Sequence, residues 1–275
     1  MAKTISADTI YFSKMSGTGN DFIVIDNMSK QYRLNWSETA RKLCPRRTGV
    51  GADGILLIEP CDETDFTMKI FNADGSEAEM CGNGARCSAD FAYSHGIAPK
   101  QMSFKTLAGV IDARIDKDAV AIKMTDPYDM QQYINLPVSG RKITIYSVNT
   151  GVPHAILFCE DVSGIEIETL GPAIRYHQHF SPAGTNVDFV QISGKNQITV
   201  RTYERGVEAE TLACGTGAVA SALLSYAFRD VSGPPVHVNM PGGQLVIDFQ
   251  IEDKQYHDVW LIGPVDTVYT GQIIN

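Results

Sequence analysis

Short runs of β-prone residues dominate the chain, and they come in two similar series. Thr9 to Ser13, Phe22 to Asp26, Ile55 to Ile58 and Phe66 to Phe71 read as strands. In the last of these, Phe66, Met68 and Ile70 fall on one face by a period of two. The turn Asn72-Ala73-Asp74-Gly75 closes that strand, and a helical run follows from Gly84 to His95. Gly109 to Ile115 and Ala119 to Met124 then form a hairpin about Asp116-Lys117-Asp118. The second series has strands at Ile143 to Val148 and Ala155 to Phe158, a helix over Glu166 to His177, and a hairpin of Val187 to Ile192 with Gln197 to Tyr203. A second helix runs from Gly215 to Phe228, and Val236 to Asn239 and Gln244 to Ile251 flank the turn Pro241-Gly242-Gly243. Between the series lies Asp126 to Gly140, with Pro127, Pro137 and little apolar periodicity, which reads as the pivot.

Local strings support a duplication. Cys81-Gly82-Asn83-Gly84-Ala85 and Cys214-Gly215-Thr216-Gly217-Ala218 stand at matching places. Each follows a Glu-Ala-Glu segment, residues 77–79 and 208–210. Two related α/β domains facing each other are the economical reading.

Composition narrows the class. The chain has 275 residues, 44% apolar and 20% charged, as ordinary globular proteins do. A formal net charge of −9 argues against nucleic acid and anionic membranes as partners. No apolar stretch is long enough to span a bilayer. Met1 to Thr9 lacks the apolar core of a secretory signal, so a cytoplasmic protein is expected. In a reducing compartment six cysteines are not a disulfide framework. No Cys-x-x-Cys pair and no suitably spaced histidine suggests a metal site. Cys44, Cys61, Cys87 and Cys159 read as small buried hydrophobes.

Cys81 and Cys214 are different, because each stands immediately before a Gly-x-Gly turn that opens a helix. Glycine lets a ligand approach the main chain closely. A helix N-terminus offers unpaired N–H donors and about half a positive charge. Each thiol is therefore expected to ionise more readily than the ordinary value of about 8.5, toward ~3.5–7.5. A carboxylate can dock on the same N–H groups. Inverting a stereocentre without a cofactor needs a base on one face and an acid on the other, and one thiol per half supplies that pair. The carboxylate at the reacting carbon would spread the anionic charge into preorganised dipoles. A single such motif is as readily a core cysteine beside a tight turn; the pair favours chemistry. The second helix, Ala218 to Phe228, is apolar on nearly every side and belongs in a core, while the first is more polar, with Arg86 and Asp90.

Other glycine clusters carry less. Gly49-Val50-Gly51-Ala52-Asp53-Gly54 matches a dinucleotide fingerprint by letter, but a strand follows it where a helix is required. Gly17-Thr18-Gly19-Asn20 lacks the ending of a phosphate-binding loop and reads as a strand-connecting turn. No lysine has a setting that suggests a pyridoxal Schiff base.

The chain resembles the diaminopimelate epimerase family from near Lys14 to near Gly271. The resemblance is carried by Lys14 to Phe22, by Ile70 to Ser76 leading to Cys81 to Cys87, and by Tyr203 to Gly206 with Glu210 to Gly217. It implies two pseudo-symmetric domains, about 1–127 and 128–265, each a curved mixed or antiparallel sheet around a central helix. A C-terminal strand near 266–275 would return to the first domain, and the site would lie in the cleft between the domains. The implied activity is cofactor-independent epimerisation of LL- to meso-diaminopimelate, a step toward lysine and peptidoglycan precursors, with no metal; a homodimer is one assembly open to the chain, whose oligomeric state the sequence does not give. Cys81 and Cys214 would be base and acid. Main-chain N–H groups of Gly82, Asn83, Gly215 and Thr216 would hold the carboxylate at the reacting carbon. Asn20, Asn72, Asn186, Glu204 and Arg205 would recognise the distal, zwitterionic end of the substrate. Taken alone, adjacent Glu204 and Arg205 are an ordinary solvated pair.

Two departures bear on substrate range. Many relatives have Gly-Asn-Pro-His where this chain has Gly151-Val152-Pro153-His154, and some have Asp-Gln at Asp53-Gly54. The rival readings are a glutamate or proline racemase of the same fold and a non-catalytic amino-acid binding protein. Asn83, where proline-type enzymes usually carry histidine, argues against the proline branch. The two intact motifs argue against a mere binder.

Overall fold

A computed structural model describes residues 9–138 and 140–274. Residues 1–8, on which the absence of a signal segment rests, lie outside the described residues, as do Ser139 and Asn275. The chain divides into two compact units, residues 1–122 with 263–275, and residues 123–262.

The first unit contains β1 (Thr9–Gly17), β2 (Asn20–Asp26), α1 (Trp36–Leu43), β3 (Gly54–Glu59), β4 (Phe66–Asn72) and β5 (Glu77–Ala78). After these come α2 (Gly82–Ser94), β6 (Gln101–Thr106), β7 (Gly109–Asp116) and β8 (Ala119–Lys123). Strands β2 and β3 pair in parallel, and β3 with β4 antiparallel. Neither strand alternates apolar with polar: Phe22 to Ile25 and Ile55 to Ile58 are all buried. That is the pattern of strands covered on both faces. On one face Ile23, Ile25, Ile55 and Leu57 pack with Ala40 and Leu43 of α1. The other face receives α2, which packs against β1, β2, β3, β4 and β7.

The second unit repeats this plan strand for strand. It opens with β9 (Tyr128–Val138), β10 (Arg141–Asn149), β11 (Pro153–Phe158), α3 (Ile167–Arg175), β12 (Asn186–Gly194) and β13 (Gln197–Glu204). It continues with β14 (Ala209–Thr211), α4 (Gly215–Phe228), β15 (Val236–Met240), β16 (Gly243–Glu252) and β17 (Gln255–Gly263). The parallel pair β11 and β12 matches β2 and β3, and the parallel pair β13 and β15 matches β4 and β6. Ile167 and Ile174 of α3 cover one face with Val187, Phe189 and Tyr203. The apolar α4 takes the other face and is buried from Gly217 to Ser225.

One expectation changes. The segment 126–140, read as a pivot, contains β9, which pairs antiparallel along β10; its hydrogen bonds to a neighbouring strand replace the apolar periodicity it lacks. The last strand, β18 (Asp266–Ile274), pairs in the same way with β1. Helix α1 was not anticipated, although Asn35 accepts a hydrogen bond from the Glu38 amide as a proper N-cap. Gly49 to Gly54 is a loop running into β3, so it opens no helix.

Candidate active site

In the first unit the β1–β2 turn is built by Thr18 and Gly19, both left-handed at φ 49° and 94°. The turn delivers Asn20 beside the start of α2. Cys81 stands just before that helix in extended conformation, φ −144° and ψ 121°, and is partly exposed. The first intrahelical bond runs from the Ala85 amide to the Cys81 carbonyl at 2.7 Å. The N–H groups of Gly82 and Asn83 therefore have no acceptor within the helix. The Asn83 side chain is buried and donates to Asn20 Oδ1 at 2.7 Å. Asn20 donates in turn to Asp53 Oδ2 at 2.9 Å. Arg46 bridges Asp53 and Asp21 at 2.9 and 2.7 Å, and Lys14 joins Asp21 and the Gly51 carbonyl. Burial works against the charge of Asp21, but Arg46 and Lys14 outweigh it and hold its pKa at about 2. Asn72 is exposed and donates to Ser76 Oγ at 3.0 Å.

In the second unit Cys214 takes the same place before α4, φ −126° and ψ 111°, but is buried. The Ala218 amide again makes the first intrahelical bond, 2.9 Å to the Cys214 carbonyl, which leaves the Gly215 and Thr216 amides without acceptors in the helix. The Cys214 thiol lies 3.4 Å from Thr216 Oγ1, which meets His154 Nε2 at 3.0 Å. His154 Nδ1 lies 2.7 Å from Asp188 Oδ2, and Thr202 donates to Asp188 Oδ1 at 2.7 Å. His154, Asp188 and Thr202 are fully buried. The expectation that both helix starts would acidify their thiols is corrected at Cys214. Burial pushes this thiol up, and the negative charges of Glu204 and Asp188 push the same way. Hydrogen bonds from Thr216 and the Gly217 amide oppose them without prevailing.

The remaining expected residues gather on β12, β13 and the turn after β13. Asn186 is buried and held at both ends of its amide, donating to the Pro153 carbonyl at 3.1 Å and accepting from the Arg205 amide at 2.8 Å. Glu204 is half-buried and its pKa is raised by that burial. Arg205 reaches the Ala183 carbonyl at 3.3 Å. Of the four cysteines read as inert, Cys44 and Cys87 are buried and their thiols are pushed up, to about 11 and about 12, by that burial. Cys61 departs from that reading: hydrogen bonds led by Thr64 draw its thiol down to about 7. Among the described residues no cluster of histidine, cysteine and carboxylate side chains has the makings of a metal site.

The sequence reading passed over Asp53, Asp188 and His154 as parts of the site and took Arg86 only as a polar residue. A signal for Asp188 was present, since it interrupts the apolar run Val187-Asp188-Phe189-Val190. The structure also explains one departure. A Cβ at Gly54 would lie 2.7 Å from the Phe71 carbonyl oxygen, so a side chain there would require β3 and β4 to shift apart.

Solved structures share this fold. A PhzF-family phenazine biosynthesis protein from Bacillus anthracis superposes with a TM-score of 0.75 at 13% identity, over 97% of this chain and 99% of that one. A probable proline racemase from Agrobacterium radiobacter superposes with a TM-score of 0.69 at 18% identity, over 96% and 92%. At the level of sequence the match is much tighter, and the chain belongs to the diaminopimelate epimerase family, whose model covers residues 12–130 and again 146–268. The diaminopimelate epimerase of Aquifex aeolicus is 45% identical over 95% of this chain and 97% of its own length. That of Methanocella arvoryzae is 43% identical over 96% of each.

Proposed function

We propose that this enzyme converts LL-diaminopimelate to meso-diaminopimelate in the cytoplasm, with Cys81 and Cys214 exchanging the proton at one α-carbon. The observation that carries the reading is the repeated helix start, in which each unit sets a cysteine beside two N–H groups that have no helical acceptor. Membership of the family supports the substrate.

The surroundings of Cys214 suit the acid. A thiol kept protonated by burial and by nearby negative charge enters the reaction as S–H. The Cys81 thiolate takes the α-hydrogen as a proton, and the C–H electron pair passes into the adjacent carboxylate. N–H groups of Gly82, Asn83, Gly215 and Thr216 receive that charge. Cys214 then delivers its proton to the opposite face and is left as the thiolate, which is the starting state for the reverse direction. At the distal end, Glu204 meets the ammonium and Arg205 the carboxylate, with Asn20, Asn72 and Asn186 completing the polar lining.

Incubation of LL-diaminopimelate in deuterium oxide tests the reading. The meso product is expected to carry one deuteron at the inverted α-carbon, seen by mass spectrometry. A chain that binds the compound yet neither inverts it nor washes in deuterium is not an epimerase.

A further inference from the structure

Arg86 is fully buried in the second turn of α2, and no carboxylate pairs with it among the described residues. A buried guanidinium without an anion is an expensive arrangement. Its hydrogen bonds go instead to neutral oxygens: Asn83 Oδ1 at 2.7 Å, Thr18 Oγ1 at 3.0 Å and the Gly82 carbonyl at 3.3 Å, while Nε has no partner. The first of these begins a chain with a fixed direction. Arg86 donates to Asn83 Oδ1, Asn83 donates to Asn20 Oδ1, and Asn20 donates to Asp53 Oδ2. Side-chain amides ordinarily have two orientations of similar energy. Here one end of the chain has only donors and the other only acceptors, so reversing either amide would set donor against donor or acceptor against acceptor. The Thr18 carbonyl, 3.4 Å from Asn83 Nδ2, enforces the same choice.

We propose that Arg86 and Asp53 are positioning residues for the epimerisation, which together lock the amides of Asn83 and Asn20 so that Asn20 presents its second N–H, not its carbonyl oxygen, beside the start of α2. The inference rests on the proposed function for the identity of the anion that donor meets, the substrate carboxylate. A carbonyl oxygen turned to the same place would repel it. The chain's two ends contribute differently: Arg86 acts from the core, and half-exposed Asp53 acts from the rim, where Arg46 holds it.

The test is a double-mutant cycle of Arg86→Met and Asp53→Asn, followed by kcat and KM for LL-diaminopimelate and by nitrogen-15 spectra of the side-chain amides. Each single change is expected to raise KM about tenfold or more with a smaller effect on kcat, and Arg86→Lys to recover part of the loss. Because both residues act through one chain, the double variant is expected to lose much less than the product of the two factors. Losses that multiply, or a KM that stays at the wild-type value, overturn the proposal. If Arg86→Met does not fold, Asp53→Asn alone decides: its effect is expected to reach the Asn83 side-chain amide resonance, and an unmoved resonance overturns the chain. A wild-type enzyme inactive on LL-diaminopimelate refutes the proposed function instead, and the same resonances then judge the chain by themselves.

Discussion

The two units place the same backbone beneath each cysteine and line it with opposite chemistry. In the first, a side chain built at Gly84 would meet Leu56 and Phe22; in the second, one built at the matching Gly217 would meet Asp188 and His154. Leu56 and Asp188 stand at equivalent register positions, partnered by Val24 and Ile156. The helices invert the contrast. Five residues after Cys81 comes buried Arg86, and five after Cys214 comes buried Val219. One cysteine thus lies near a buried cation on its helix, the other near a buried carboxylate and imidazole on its sheet. The two thiols therefore stand in unlike electrostatic settings: burial, followed by the charges of Glu204 and Asp188, raises Cys214, while the helix that follows Cys81 carries a buried guanidinium.

The most severe way to break this comparison is to remove either thiol. Cys81→Ala and Cys214→Ala are each expected to lower turnover about a thousandfold or more, since general acid and base groups each contribute roughly 10²–10⁴. Near-normal inversion by either variant would end the two-thiol account. The next test sets Gly217→Ala against Gly84→Ala. The new methyl would lie 2.4 Å from a buried Asp188 oxygen in one case and 3.1 Å from a terminal methyl of Leu56 in the other. Thermal or urea unfolding is expected to show a loss of about 2–3 kcal/mol for Gly217→Ala and under about 1 kcal/mol for Gly84→Ala. Equal losses would show that the floors do not differ in rigidity.

Alkaline unfolding sharpens the picture further. Cys87 has its pKa raised from 9.0 to about 12 by burial, so above pH 9 the unfolded chain releases a proton that the folded one keeps. The stability owed to this protonated thiol is complete below pH 9 and falls by about 1.4 kcal/mol per pH unit toward pH 12. Urea titrations of Cys87→Ala are expected to show a shallower alkaline slope by that amount; an unchanged slope would mean that the thiol ionises within the fold. The smallest effect concerns Val152. Asparagine there is expected to raise kcat/KM for LL-diaminopimelate relative to glutamate about tenfold, since a hydrogen bond to a charged carboxylate contributes about 1.5–3 kcal/mol. If Val152→Asn leaves selectivity unaltered, another group already serves the distal carboxylate.

Much of this was legible before the structure. The run Gly215 to Phe228 predicted α4 to the residue, because its apolar surround and glycine start leave little choice. The hairpin at 116–118 and the turn at 17–20 were equally plain, being set by local turn chemistry. What escaped were features decided by partners distant in sequence. Strand β9 has no period of its own and exists because β10 pairs with it. The raised thiol of Cys214 comes first from its burial and then from Glu204 and Asp188, none of which the helix start announces, so a rule drawn from that start alone gave the wrong direction.

The two edge strands have a consequence for synthesis. Strand β9, which trails the first repeat, pairs with β10 of the second unit, and β18, which trails the second repeat, pairs with β1. Thr9 is thereby matched with Ile274, at opposite ends of the described chain. On the ribosome the first unit must wait with β1 unpaired along that edge until β18 emerges, while the second unit already has its edge strand in hand when its core is made. The half whose strands come first in the sequence is closed by the later strand, and removal of residues 266–274 would leave the Cys81 unit, not the nearer one, with an open edge.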